Sequence, residues 1–150
     1  ISHEVIGENP YSLNEARYLN QRDILIYKEW VDKSMNNLSN EEKLKYYFDK
    51  VGKHTNHNKY RSLEWDKPSP TIVSHLYKDG HMFIHPDSKQ ARSITIREAA
   101  ILQSFPNDFM FIGSSAYCYK MIGNAVPVLF AKKIAEAVEN VLRKEWKEND

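Results

Sequence analysis

The stretch that most restricts how this chain can fold runs from Arg92 to Val126. It reads RSITIREAAILQSFPNDF and then, after a short gap, YKMIGNAV. Thr95-Ile96-Arg97-Glu98 has the form of a capping box. The Thr95 hydroxyl can accept from the amide of residue 98, and the Glu98 carboxylate can reach back to the amide of residue 95. Ala99, Ala100, Ile101 and Leu102 continue as helix. Phe105-Pro106 stops it, because the residue before a proline is pushed out of helical geometry. Gly123-Asn124 predicts a tight turn. Pro127 stands where a first helical residue belongs, since its missing N–H costs nothing there. The expectation is helix, polar loop, tight turn, helix.

The rest of the chain has to accommodate that core. With 150 residues there is room for one ordinary domain or two small ones. A content of 41% hydrophobic and 27% charged residues fits a soluble globular protein. No apolar run approaches membrane-spanning length. Ile1-Ser2-His3-Glu4 is neither a signal peptide nor an initiator methionine, so a piece of a longer chain is expected. The single cysteine, Cys118, excludes an internal disulfide and suits a reducing, cytoplasmic compartment. The net charge of +1 makes no case for nucleic acid by itself. Any such case must rest on local patches.

Ser12-Leu13-Asn14-Glu15 is a candidate cap for a first helix, which the spacing of Tyr27, Trp30 and Val31 extends through Ser34. Ile24-Leu25-Ile26 can also be read as a short strand. Ser39 caps a second helix, Asn40 to Lys50, which Gly52 ends. Residues 53–62, KHTNHNKYRS, are a polar, basic loop. Leu63-Glu64-Trp65 is a candidate strand. Thr71 to Tyr77 is β-branched and aromatic, Lys78-Asp79-Gly80 is a turn signal, and Met82 to His85 returns, so a β hairpin is expected. The last helix runs from after Asn124 to about Lys147. Phe130, Ile134, Val138, Val141 and Leu142 form its apolar stripe, opposite a charged face of Lys132, Lys133, Glu136, Glu139, Arg143 and Lys144. The fold class expected is therefore α+β: helical segments, a small β hairpin or sheet, and a C-terminal helix.

Few residues offer chemistry of their own. A nucleophilic thiolate needs a niche that lowers its pKa, and Cys118 has only Lys120 near in sequence, so it reads as an inert thiol. His54 and His57, and His81 and His85, have helical or loop spacing but no metal-ligand pattern such as HExxH, so no metal is expected. The five glycines form neither GxGxxG nor a Walker loop. Lys53, His54, His57, Lys59 and Arg61 can touch phosphates, and Asn56 or Asn58 can read base edges. Composition alone leaves that stretch an ordinary solvated loop.

TIREAAILQSFPNDF followed by IGNAVP, with Arg92 also in place, resembles the last two sequence motifs of the DNA cytosine-5 methyltransferases. The likeness covers residues 63 to about 142, and residues 1–62 only by position. Val128 stands where a second proline is common. The family transfers a methyl group from S-adenosylmethionine to carbon 5 of a cytosine flipped out of double-stranded DNA. The resemblance implies a C-terminal portion of such an enzyme, inactive alone, since no Phe-x-Gly-x-Gly loop and no Pro-Cys dipeptide is present and Tyr117 precedes Cys118. It implies a partial target-recognition region over 1–91, a bracing helix and loop over 92–116, and a turn and helix returning to the cofactor domain over 117–150. By the same likeness, Asn124, Ala125 and Val126 line the S-adenosylmethionine pocket. Thr71 faces the DNA backbone, with Ser74, His75, Lys78 and Gly80 following it, and Lys59 and Arg61 belong to the recognition segment. For Arg92 and Arg97, bracing and phosphate contact both remain open. The last helix then lacks its natural cover, the missing N-terminal catalytic portion, so self-association or a mobile helix is expected. Two other classes stay open: a natural subunit of a split methyltransferase, and a non-enzymatic DNA-binding module.

Overall fold

A computed structural model describes residues 13–148, and it is built from helices. In order they are α1 (Gln21–Asp32), α2 (Asn40–Val51), α3 (Ile96–Leu102), α4 (Ser115–Asn124) and α5 (Val128–Glu148), with short 3-10 turns at Met35–Asn37 and Ser74–Tyr77. No strand or sheet forms among the described residues, which overturns the α+β expectation.

The hairpin fails for a packing reason. Ile72 and Leu76, four residues apart, are both buried in one core, so the segment coils to bring them to the same side. The turn is closed by Leu76 N–H to Val73 O at 3.0 Å and Lys78 N–H to His75 O at 3.0 Å. Ile84 finds only isolated bridges, parallel to Ser62 and antiparallel to Ser93. Leu63-Glu64-Trp65 makes no strand either. The β-branched run was therefore a record of burial, which periodicity over so few residues cannot separate from a strand.

Two apolar clusters hold the molecule. The first gathers Ile26, Tyr27, Trp30, Met35, Tyr60 and Ile84 around α1. The helix starts at Gln21, with the Asn20 side chain accepting the Asp23 amide at 2.9 Å. The Ser12 cap lies outside the described residues, and Ile24 to Ile26 are helical. Helix α2 follows its sequence closely. Ser39 and Glu42 form a capping box, and Gly52 closes the helix at φ 72°.

The second cluster joins α3, α4 and the Ser74–Tyr77 turn through Leu76, Ile94, Ile96, Ala99, Ala100, Tyr119 and Ile122. The Thr95–Glu98 capping box forms as expected: Glu98 N–H donates to Thr95 Oγ1 at 3.2 Å and Thr95 N–H to Glu98 Oε2 at 2.8 Å. Thr95→Ala should lower the unfolding free energy by about 0.5–2 kcal/mol. A urea midpoint equal to wild type would place the helix start elsewhere.

Helix α4 was not anticipated. It is only ten residues long, with Ser, Tyr, Cys and Gly of modest helix propensity, and it is held by Ser114 accepting the Tyr117 amide at 3.3 Å and by burial of Cys118, Tyr119 and Ile122. Gly123 and Asn124 end this helix and make no tight turn. The glycine is needed for contact: a Cβ there would stand 2.5 Å from Val73 O and 3.0 Å from Ser74 Cα. Arg17 pins the same junction. Its guanidinium donates to the carbonyls of Leu76 and Tyr77 and lies 3.7 Å over the Tyr119 ring.

Candidate nucleic-acid interface and cofactor edge

The basic loop and the Ser74–Gly80 segment, far apart in sequence, meet across a cleft of about 490 Å³. His57, Asn58 and Lys59 line one wall, and His75, Lys78, Asp79 and Gly80 the other. The fold sets these walls firmly. Arg61 N–H donates to His81 O at 3.0 Å, and the His81 ring meets the Tyr27 hydroxyl of α1 at 2.6 Å through Nδ1. Burial, more than any nearby charge, pushes the His81 pKa below its ordinary value. Of the residues expected at DNA, Lys59, His75, Lys78 and Gly80 line the cleft. Thr71, Ser74 and Arg61 are exposed but do not line it.

Gly80 serves the interior. At φ 77° it is buried, and a Cβ would meet Ser93 Cβ and Oγ at 2.9 Å. Asn58 is likewise committed inward, donating to Tyr60 O at 2.8 Å and accepting from the Tyr60 amide at 3.2 Å.

Arg92 and Arg97 stand away from the cleft. Arg92 grips the capping-box carboxylate in a fork, Nη1 to Glu98 Oε2 at 2.6 Å and Nη2 to Oε1 at 2.7 Å. Burial works against the charge on Glu98, but the Arg92 bonds and the Thr95 amide outweigh it and hold the carboxyl below its usual range. This fork ties the start of α3 to the segment before it. Arg97 is buried, and its Nη1 and Nη2 have no hydrogen-bond partner among the described residues.

The last matched motif is bolted to the end of α3 by residues that sequence reasoning passed over. Gln103, almost fully buried, donates from Nε2 to both Ile122 O and Ala125 O at 3.1 Å. Its own carbonyl accepts the Val128 amide at 3.0 Å, and Ser104 Oγ accepts the Leu129 amide at 3.0 Å. Two otherwise orphaned donors at the start of α5 are thus satisfied from another helix. Ser104 adopts φ 56° to do so. A polar amide directly before a Phe-Pro stop was the available signal. The outcome is a fixed loop on which Asn124 and Val126 are exposed and Ala125 half-buried.

Cys118 is buried, with Sγ 3.8 Å from Gly113 O, and burial raises its pKa. That is the opposite of an activated thiolate. On the exposed face of α5, Glu139 accepts from Arg143 at 2.6 and 2.9 Å.

A family model described as C-5 cytosine-specific DNA methylase matches residues 2–140. "Putative type II methyltransferase M.OihORF3336P" of Oceanobacillus iheyensis is 53% identical over 81 residues, which make up 54% of this chain and 17% of that relative. "Type II methyltransferase M.AgeI" of Thalassovita gelatinovora is 45% identical over 82 residues, 55% of this chain and 19% of the relative. "Type II methyltransferase M.AquIB" of a Picosynechococcus species is 39% identical over 94 residues, 55% of this chain but 64% of the relative. The matched stretch thus spans about a fifth of the first two relatives. No solved structure matches. A family match over nearly the whole chain, joined to two motifs that the fold locks into one unit, has one conclusion: the chain belongs to the C-5 cytosine-specific DNA methylase family.

Proposed function

We propose that this chain is the C-terminal, DNA-recognising portion of a DNA cytosine-5 methyltransferase. It supplies target recognition through the cleft between the 53–61 loop and the 71–80 segment, and one edge of the cofactor pocket through Asn124, Ala125 and Val126. The observation that carries this is the pinned, exposed loop at Asn124–Val126 beside an α5 whose apolar stripe is uncovered. A surface of that kind fits a larger α/β partner bearing the catalytic cysteine. S-adenosylmethionine, held against that edge in the complete enzyme, supplies the activated methyl group. The residues of this chain position DNA and close the pocket, and Arg92 braces the helix between the two tasks.

The test is duplex binding and methyl transfer by the purified 150-residue chain. Binding is expected without methyl incorporation. Charge reversal at Lys59 and Arg61 should weaken that binding and flatten its salt dependence, because fewer counterions are released. Methyl transfer by this chain alone, unaffected by Cys118→Ser, would overturn the assignment of the nucleophile to another part. Binding and salt slope that survive both reversals would remove the loop from the interface.

A further inference from the structure

The segment that carries His75 and Lys78 has little backbone tying it to the rest of the fold. Its backbone bonds among the described residues are local: the Leu76 amide to Val73, Lys78 to His75 and Phe83 to Gly80. No bridge includes residues 71–80. The carbonyls of Leu76 and Tyr77 receive no backbone amide among the described residues. They are met instead by Arg17, 59 and 60 residues earlier, with Nη2 donating to Leu76 O and Nη1 to Tyr77 O at 3.1 Å.

The guanidinium is itself held. Its central carbon lies 3.7 Å from the centroid of the Tyr119 ring, and the Tyr119 hydroxyl donates to Ile94 O at 2.8 Å, which fixes that ring on α4. Nε is buried and has no hydrogen-bond partner among the described residues. It stands beside Gly80, where an added Cβ would lie 3.6 Å from it and 2.9 Å from Ser93 Oγ. Arg17 therefore seats the segment near both of its ends, at residues 76–77 and at residue 80.

Lysine can supply the charge of this side chain but not its arrangement. A planar fork meets two adjacent acceptors while its face rests on a ring, whereas an ammonium is a point charge on a flexible stem. A phosphate contact asks only for the charge. We infer that Arg17 is a positioning residue for DNA recognition: it seats residues 74–80 on α4, so that His75 and Lys78 meet a duplex in one fixed arrangement. It acts through the backbone of that segment and not by contact with DNA. A segment left free to sample other placements must be ordered on binding, and the contacts that depend on placement lose most. The inference rests on the chain being the DNA-recognising part of a methyltransferase, and it adds a residue on which selectivity depends.

The experiment starts with selection from random-sequence duplexes by the 150-residue chain. Affinities for the enriched pool and for the unselected pool are then compared over a salt series, below the unfolding midpoint of each variant. Arg17→Lys and Arg17→Gln should bind the enriched pool about tenfold more weakly, the effect of losing one bond to a charged group. Their affinity for the unselected pool and their salt slope should stay at wild-type values, because no phosphate contact is lost. A general loss of stability lowers the midpoint without erasing selectivity in this way. A phosphate contact gives another pattern: Arg17→Gln weakens both pools alike with a slope reduced by about 0.9, and Arg17→Lys binds as the wild type does. That pattern, or an Arg17→Lys variant that selects like the wild type, overturns the inference and leaves the recognition role standing. If neither variant folds, nuclear magnetic resonance of the wild type decides. The Arg17 Nε–H signal should be protected from solvent exchange and unmoved by the unselected pool, and a freely exchanging signal overturns the inference. A wild type that binds no duplex, or enriches no sequence, removes the recognition role and this inference with it.

Discussion

Gly123→Ala should destabilise the chain by about 1–3 kcal/mol, the usual cost of forcing an extra carbon into a packed site. The position lies inside α4, where alanine is normally the better helix former, by about 1 kcal/mol. Propensity alone therefore predicts stabilisation. Contact predicts the reverse, and contact wins here because the obstructing atoms are backbone. The new Cβ would sit 2.5 Å from Val73 O and 3.1 Å from Val73 C. A side chain could swing away, but Val73 cannot retreat without shifting the Ser74–Tyr77 turn. That turn is held to α4 by the burial of Leu76 and by Arg17, so relaxation at one point spreads through the second core. Urea unfolding of the two proteins decides the sign. A higher midpoint for the alanine variant would mean that α4 and the turn are not in this contact. Amide exchange should also rise across 72–78 in the variant, since the same clash loosens the wall that carries His75 and Lys78.

This glycine also shows where sequence reading succeeds and where it stops. The capping boxes at Ser39–Glu42 and Thr95–Glu98 were legible because each is a local device, closed within four residues by groups that are adjacent in the chain. The end of α2 at Gly52 was legible for the same reason. The identity of Gly123 was equally visible, but its cause lay in Val73, fifty residues earlier. A Gly-Asn pair read locally is a turn; read in the fold it is a close helix contact. Thr71 to Tyr77 failed likewise. Its β-branched composition promised a strand, yet strand pairing needs a partner, and the bridges among the described residues, Ser62 to Ile84 and Ile84 to Ser93, do not include it. The same gap hid Gln103, whose two carbonyl partners lie 19 and 22 residues on. As for the candidate site, the resemblance pointed to both the basic loop and the 71–80 segment. Only the folded chain places them on opposite walls of one cleft, ties Asn58 to the Tyr60 backbone, and brings in Asp79.

Self-association through α5 is the second large effect expected. Phe130 is 60% exposed, Ile134 47%, Val138 53%, Val141 56% and Leu142 53%, whereas the apolar residues of α1 at the core, Ile26, Tyr27 and Trp30, are at 1% or below. A helix draws most of its stability from a buried apolar face, and a contiguous bare patch of this kind tends to find another surface. The magnitudes say how tightly. Fully burying a side chain of this size is worth about 1.5–3 kcal/mol. Covering the exposed halves of five such residues on each of two copies yields on the order of 10 kcal/mol by the same rule. Association itself costs an estimated 4–15 kcal/mol in lost freedom. The two are of similar size, so pairing should be reversible and concentration-dependent, not permanent. Sedimentation velocity over the micromolar range should show the wild type moving from monomer to a larger species as concentration rises. Val138→Glu sets a charge in the middle of the stripe and should remain monomeric throughout. Adding the catalytic portion of a matching methyltransferase should dissolve the self-association, because one larger apolar cover competes with a second copy for the same face. A wild type that stays monomeric across the range, with a helix as resistant to amide exchange as α1, would mean that the stripe needs no cover, and would remove the main structural support for the proposed role of the chain.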